Sequence, residues 1–444
     1  NAGDITYWSN SNANTSTDTG TGGIYVQDSA VIDSRSSADR TASNISTATG
    51  GGTITLGGGN ATTTTALGTT TPSGYALNVV NTVAGLLLGT YGSPTGHSSG
   101  IKIYSGGGNL TLQGRSTVSG AIGLMAFEGL TIDAGTNGNI LLQGQSNVGS
   151  GADMQTYRVG TTSASATLIK TSGTGNINFV GISGASSGTG FGIGSNSAAA
   201  AMTVEANGSG NISVTGNAPS TSAYQIISRW NNFLAKSGNI TFTANVAGGS
   251  ILLTNGNTFG FKAGTDVTTS TANVSLVADK FSLSDANVIS TSGAASIYSY
   301  NTSFASAFTL PSGNLAFSTG VSSLIIGNTT NTQDITVGNA VNISGPINVY
   351  GGNITLNAGL ASTAAGAGIL LKASGGIVQS ASTTVQTNAG DITYWSNSNA
   401  NTSTDTGTGG VYVQDSAIID SRSSADRTAS NISTATGGGT ITLG

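Results

Sequence analysis

Residues 388–444 of this chain copy residues 1–57 at an offset of 387 positions. Only two positions differ: Ile24 becomes Val411, and Val31 becomes Ile418. A closed globular fold has no reason to begin its own sequence again, whereas a tandem array does, so the repeat constrains the fold before any local pattern is read. The chain divides into one full period, residues 1–387, and the start of the next, residues 388–444. A first residue Asn1 rather than Met and a last motif ITLG read as ends cut from something longer. The two exchanges run in opposite directions, one losing a methylene and the other gaining one. Close-packed cores tolerate volume-conserving swaps best, which predicts that positions 24 and 31 point inward as neighbours. Neutral drift at unrelated sites is the alternative.

A smaller repeat runs inside the large one. Gly, then Asn or Asp, then two apolar residues separated by one polar residue recur as GGNLTLQG at Asn109, NGNILLQG at Asn139 and TGNINFVG at Asn176. The phrase returns as SGNISVTG at Asn211, SGNITFTA at Asn239 and GGNITLNAG at Asn353, with AGDITYW at Asp4 and again at Asp391. A strand alternates its side chains with period two, so Ile and the second apolar residue share one face. Gly and Asn tolerate the left-handed backbone of a sharp corner. The phrase therefore predicts a corner followed by a short, half-buried strand. Its return every ~20–40 residues predicts stacked coils with loops of variable length. The expected fold class is all-β, a parallel β-helix with irregular coil lengths and about 13–18 coils per period at strand spacing. A string of immunoglobulin-like sandwiches would repeat near ~100 residues, and no copy of residues 1–57 appears before residue 388.

Composition agrees. Charged residues make up 7%, and there are 68 Gly, 5 Pro and no Cys. Low charge with many β-branched residues argues against disorder. Glu, a strong helix former, occurs only at Glu128 and Glu205. The net charge is -5 with no basic run, which argues against a nucleic-acid partner. Leu77 to Leu88 is the most apolar stretch, shorter than the ~20 residues of a spanning helix, and reads as core strands, so no membrane span is expected. The phrases GGNITLNAG, SGNITFTA and GGNLTLQG, in a Cys-free background rich in Ser, Thr and Asn, resemble filamentous-haemagglutinin-like adhesins and autotransporter passenger domains. The resemblance implies a secreted right-handed β-solenoid, often within a giant protein, on a bacterial outer cell surface.

Residues for chemistry are few. The single His, His97, sits in GSPTGHSSG without a nucleophile elbow, so no catalytic residue is expected. Without Cys, thiolate metal sites are excluded, and neither metal nor cofactor is expected. The densest charge cluster is Asp28, Asp33 and Asp39 with Arg35 and Arg40, copied at Asp415, Asp420, Asp426, Arg422 and Arg427. It lacks calcium-loop spacing and reads as a self-neutralising loop rather than a glycan-cleaving carboxylate pair. Asn-x-Ser/Thr at Asn14, Asn44, Asn109, Asn211, Asn239 and Asn353 matches the glycosylation pattern, but most copies are the strand phrase itself. Thr62–Thr65 and Thr69–Thr71 suit O-linked sugar, a polar loop or a Thr ladder.

The candidate contact patch is Tyr224, Arg229, Trp230, Phe233 and Lys236 in YQIISRWNNFLAK, since aromatic and Arg residues dominate binding hot spots. Ile226, Trp230, Phe233 and Leu234 fit a short helical stripe, which predicts a cap or bulge packed on the coils. Tyr7 and Trp8, copied at Tyr394 and Trp395, are a second candidate contact. The expected partners are neighbouring repeats of the same chain, lateral copies in a fibre, and cell-surface glycans or proteins. The expected function is a non-enzymatic structural repeat of an extracellular fibre or adhesin stalk. Its alternatives are a polysaccharide-binding or polysaccharide-cleaving β-helix and a laterally assembled sheath.

Overall fold

Parallel strands stacked one coil upon the next build this chain, and each coil contributes a strand to each of three faces. The computed structural model describes residues 2–10, 22–41, 47–78, 84–89, 99–147, 149–155, 166–184, 188–194, 201–219, 224–310, 313–398, 409–428 and 435–444. They fall into two units, Asn1–Thr271 and Ala272–Gly444.

In the first unit the opening coil is β1 (Ile5–Ser9), β2 (Ile24–Val26) and β3 (Val31–Asp33), followed by the short helix α1 (Ser37–Thr41). The next coil starts with β4 (Ile54–Thr64), which pairs in parallel with β1 from Ile5↔Ile54 to Ser9↔Gly58. The first face then adds Leu110–Ser116, Ile140–Ser146, Ile177–Ser183, Ile212–Asn217 and Ile240–Ala244. Leu110–Ser116 and Ile140–Ser146 stay in register over their whole length. Inward positions form apolar columns. Ile54, Ile140, Ile177, Ile212 and Ile240 are fully buried, as are Leu56, Leu112, Leu142, Phe179, Val214 and Phe242. A one-residue slip would turn each column outward, so the burial itself fixes the register.

The Asn of the phrase does not make a left-handed corner, as the sequence reading expects. None of Asn109, Asn139, Asn176, Asn211 and Asn239 is among the residues with positive φ. They form a ladder instead. Oδ1 of Asn109 accepts from the backbone N–H of Asn139 (3.0 Å), Oδ1 of Asn139 from Asn176 (2.9 Å), and Oδ1 of Asn176 from Asn211 (2.8 Å). Nδ2 of Asn139, Asn176 and Asn211 also donates to the Asn one coil below. The Gly before each Asn is required by closeness, not by φ. A Cβ on Gly138 would lie 2.5 Å from the Gly108 carbonyl, on Gly175 2.3 Å from that of Gly138, on Gly210 1.7 Å from that of Gly175, and on Gly238 1.9 Å from that of Gly210. Coil backbones meet in this column, and only Gly fits between them.

In the second unit the phrase changes face. The strands after Asp334 and Asn353, Ile335–Val337 and Ile354–Leu356, belong to a second-face sheet, with Oδ1 of Asp334 accepting from the Asn353 N–H (2.7 Å). The phrase therefore marks strand starts on more than one face, and phrase spacing overcounts coils. Among the described residues, first-face strands that begin a coil number seven in the first unit and five in the second before residue 388. Among the described residues the period thus shows twelve coils, fewer than the 13–18 expected. The chain is a parallel β-solenoid of irregular coil length: ladder steps span 28 to 37 residues between Asn109 and Asn239, 49 between Asp4 and Thr53, and 19 between Asp334 and Asn353.

Ile24 and Val31 correct the volume argument. Ile24 points inward at 8% exposure, while Val31 points outward at 60%, with the inward Ile32 beside it. The two exchanged side chains lie on opposite faces of their strands and do not compensate each other. Leu77 and Ala84 to Leu88 do supply buried strand residues, as expected. Among the described residues no helix is long and apolar enough to cross a membrane.

Candidate functional site

The period boundary is not a linker. Strand Thr384–Asn388 runs across it. The start of the second copy stacks on the coil before it by three parallel pairings. Ile369–Ala373 pairs with Ile392–Trp395, Ile377–Gln379 with Val411–Val413, and Thr384–Asn388 with Ile418–Asp420. Helix α2 (Ser424–Thr428) repeats α1 at the same offset.

This joint decides the fate of the Tyr-Trp pair. Tyr394 is fully buried, and its hydroxyl donates to Oε1 of Gln379 (2.7 Å). Burial pushes that hydroxyl far above the ordinary tyrosine range. Trp395 carries Nζ of Lys372 over its ring at 4.3 Å. Arg427 donates to the Thr387 carbonyl, and the Ser424 N–H to Oδ1 of Asn388 (2.8 Å). In the first copy the same edge is open. Tyr7 is 45% exposed and Trp8 36%, and Arg40, with no coil beneath, leans on Asp33 at 3.8 Å.

The acidic loop neutralises itself. Arg35 grips Asp33 with Nε (3.0 Å) and a terminal nitrogen (2.8 Å), and Arg422 grips Asp420 in the same way. Burial pushes the Asp33 carboxyl up, but the Arg35 hydrogen bonds and charge outweigh it and hold the group below the ordinary range. Ser36 caps the start of α1, its hydroxyl accepting from the Asp39 N–H (3.1 Å) and donating to the Asp39 carboxylate (2.8 Å), which also accepts from the Gly50 N–H (2.9 Å). Asp28 is half-buried. Among the described residues no three carboxylates or imidazoles gather as a metal cluster. His97, Asn14 and Asn44 lie outside the described residues.

The segment from Tyr224 to Lys236 is neither helix nor cap. It is two coil strands, Ile226–Arg229 and Asn231–Ala235, joined at Trp230 with φ 51°. A bulky residue at positive φ is an outlier, and here it turns the chain from the second face to the third. The alternation of two adjoining strands imitates a helical stripe. Phe233 is fully buried, with Phe242 at 4.7 Å and Phe259 at 5.7 Å between ring centroids, so it belongs to no surface. Arg229, Trp230 and Tyr224 are half-buried and Lys236 is exposed.

Sequence reasoning missed a charged column on the third face. Tyr104, Asp133, Lys170 and Glu205 occupy one register position in successive coils, each just after an inward Ile or Val. All four are buried. Lys170 contacts Glu205 at 3.9 Å and donates to Asp266, and Arg35 lies over the Tyr104 ring at 4.7 Å. The signal was present as KIY, TID, LIK and TVE at Ile103, Ile132, Ile169 and Val204. Reading it required coil lengths that only the fold supplies.

The described residues also form a groove on the first face. The far half of β4 leaves the sheet and pairs antiparallel with β5 (Thr70–Gly74) through Thr62↔Pro72, Thr63↔Thr71 and Thr64↔Thr70. Gly68, at φ 80°, closes the turn. Asp4 ties the hairpin down, accepting from the Thr53 N–H (2.7 Å) and from the Thr65 hydroxyl. Between hairpin and sheet lies a groove of about 420 Å³. The Thr cluster is thus a hairpin, not a ladder along the stack. No family model, curated protein or solved structure matches this chain.

Proposed function

We propose that this chain is the repeat unit of a giant extracellular β-solenoid, a fibre or adhesin stalk of the filamentous-haemagglutinin-like kind on a bacterial outer surface, with no catalysis of its own. The observation that carries this reading is the joint at residue 388. One edge of the repeat is seen twice in the same chain, once open at β1–β3 and once covered by the strands before Asn388. Since residues 388–444 are almost identical to residues 1–57, the same joint suits every period boundary of a tandem array. Solenoids grow by nearest-neighbour stacking without limit. Heterologous joints that do not close give filaments rather than rings. The function is reach, with surface loops presented at fixed intervals for multivalent contact.

Chains of one, two and three periods test this by electron microscopy. Particle length should grow by one constant increment per period, on the order of 60 Å for twelve coils at strand spacing. Beads joined by flexible links, or turnover of a glycan that is lost on mutating Asp28, Asp33 and Asp39, would overturn it.

A further inference from the structure

We propose that the groove between the β4–β5 hairpin and the first face binds a neutral oligosaccharide. Its volume of about 420 Å³ falls within the range of small-molecule sites, roughly 300–1,000 Å³. The lining is hydroxyl and amide: Thr53, Thr55, Thr63, Thr111, Asn109 and Gln113 are representative, and no charged side chain is among the lining residues. A charged ligand finds no counter-ion there. Pro72 and Leu141 add a small apolar surface suited to the C–H face of a sugar ring.

Two buried groups point to a ligand. Thr55 is 3% exposed and Gln113 7%. Nε2 of Gln113 donates to Oε1 of Gln143 (3.0 Å), whose own Nε2 donates to the Tyr75 hydroxyl (2.5 Å). That chain fixes the amide plane and leaves Oε1 of Gln113 with no hydrogen-bond partner among the described residues. The Thr55 hydroxyl likewise has none among them. Neither oxygen is sealed from solvent, so each is free to meet a ligand that enters the groove. A sugar hydroxyl, which both donates and accepts, satisfies a fixed carbonyl and a rotating hydroxyl together. The walls are set before binding, by the paired hairpin, the Asp4–Thr65 bond and the glutamine chain, which lowers the cost of ordering them.

This inference stands apart from the fibre reading, since a single chain in solution carries the whole groove. Calorimetric titration of the 444-residue chain with cellotetraose, maltotetraose and a poly-N-acetyllactosamine tetrasaccharide tests it, with a heparin tetrasaccharide as the acidic probe. At least one neutral probe should bind saturably and more tightly than heparin. Thr55→Val and Gln113→Leu should each weaken that binding tenfold or more. Thr63→Arg, at an exposed hairpin position, should block the groove to the same extent without touching the core, and so decides the matter even if a buried variant fails to fold. Absence of neutral binding at millimolar probe, preference for heparin, or binding unchanged by Thr63→Arg in a folded chain would overturn the proposal.

Discussion

Tyr7 and Tyr394 are one residue of one repeated sequence in two environments. Tyr394 has a coil beneath it and a partner in Gln379; Tyr7 has neither. Tyr394→Phe should therefore cost about 1 kcal/mol, the usual net worth of a hydrogen bond, while Tyr7→Phe should cost nothing measurable by urea unfolding. Equal losses would mean that the joint does not discriminate the copies. The third-face column makes a second prediction. Burial pushes the Glu205 carboxyl above its ordinary range by more than Lys170 pulls it down. A carboxyl raised in this way favours folding when protonated, and its contribution is lost as pH rises through the folded value. Lys170→Met, which strands the buried Glu205 charge, should cost ~3–5 kcal/mol at neutral pH. The cost should shrink as pH falls through the raised folded value, where Glu205 takes up a proton. Glu205→Gln should cost less, because Lys170 keeps Asp266. Thermal melts of both variants across that range check the order and the sign.

Each coil start combines a Gly that lets backbones touch with an Asn that bonds the next coil. Gly210→Ala puts a Cβ 1.7 Å from the Gly175 carbonyl, and forcing the coils apart should cost about 1–3 kcal/mol, as overpacking does. Gly320→Ala, whose Cβ would meet nothing closer than 3.5 Å, should be nearly silent in the same denaturation assay. Asn176→Leu removes the acceptor of both Asn211 bonds and the donor to Asn139. It should cost ~1–3 kcal/mol, and hydrogen exchange should speed up at Asn211 but not at Asn353. The phrase was legible in sequence because every coil needs the same solution at its start. Which face it starts was not legible, because a period-two strand looks alike on all three.

Cooperation between coils appears at the scale of the molecule. A solenoid end must be covered, since each coil buries its core only against neighbours. Truncation after residue 387 should expose Leu371 and Ile377, now buried under the second copy's strands. Both chains end on an open coil, with Ile441 43% and Leu443 49% exposed in the longer one, so the readout is local: hydrogen exchange at Leu371 and Ile377 should be faster in the shortened chain. Restoring residues 388–444 should reverse it. Equal exchange in the two chains would mean that the last coil does not protect the one before.

The sequence by itself determined the class of fold. Alternation, recurrent Gly-Asn starts and a restart at residue 388 admit little besides stacked parallel strands, because these signals repeat along the chain and are local to each strand. It also placed Arg35 and Arg422 close enough to Asp33 and Asp420 for the self-neutralised loop that the structure shows. The tertiary structure alone decided which residues from different coils meet: the Asn ladder, the Gly column, the Tyr104–Asp133–Lys170–Glu205 column and the hairpin groove. Those contacts depend on coil length, which varies from 19 residues (Ile335↔Ile354) to 71 (Val31↔Lys102) with loops that carry no periodic signal. Inward or outward direction at Ile24 and Val31 was likewise settled only by register, since a three-residue strand is too short to declare its own face.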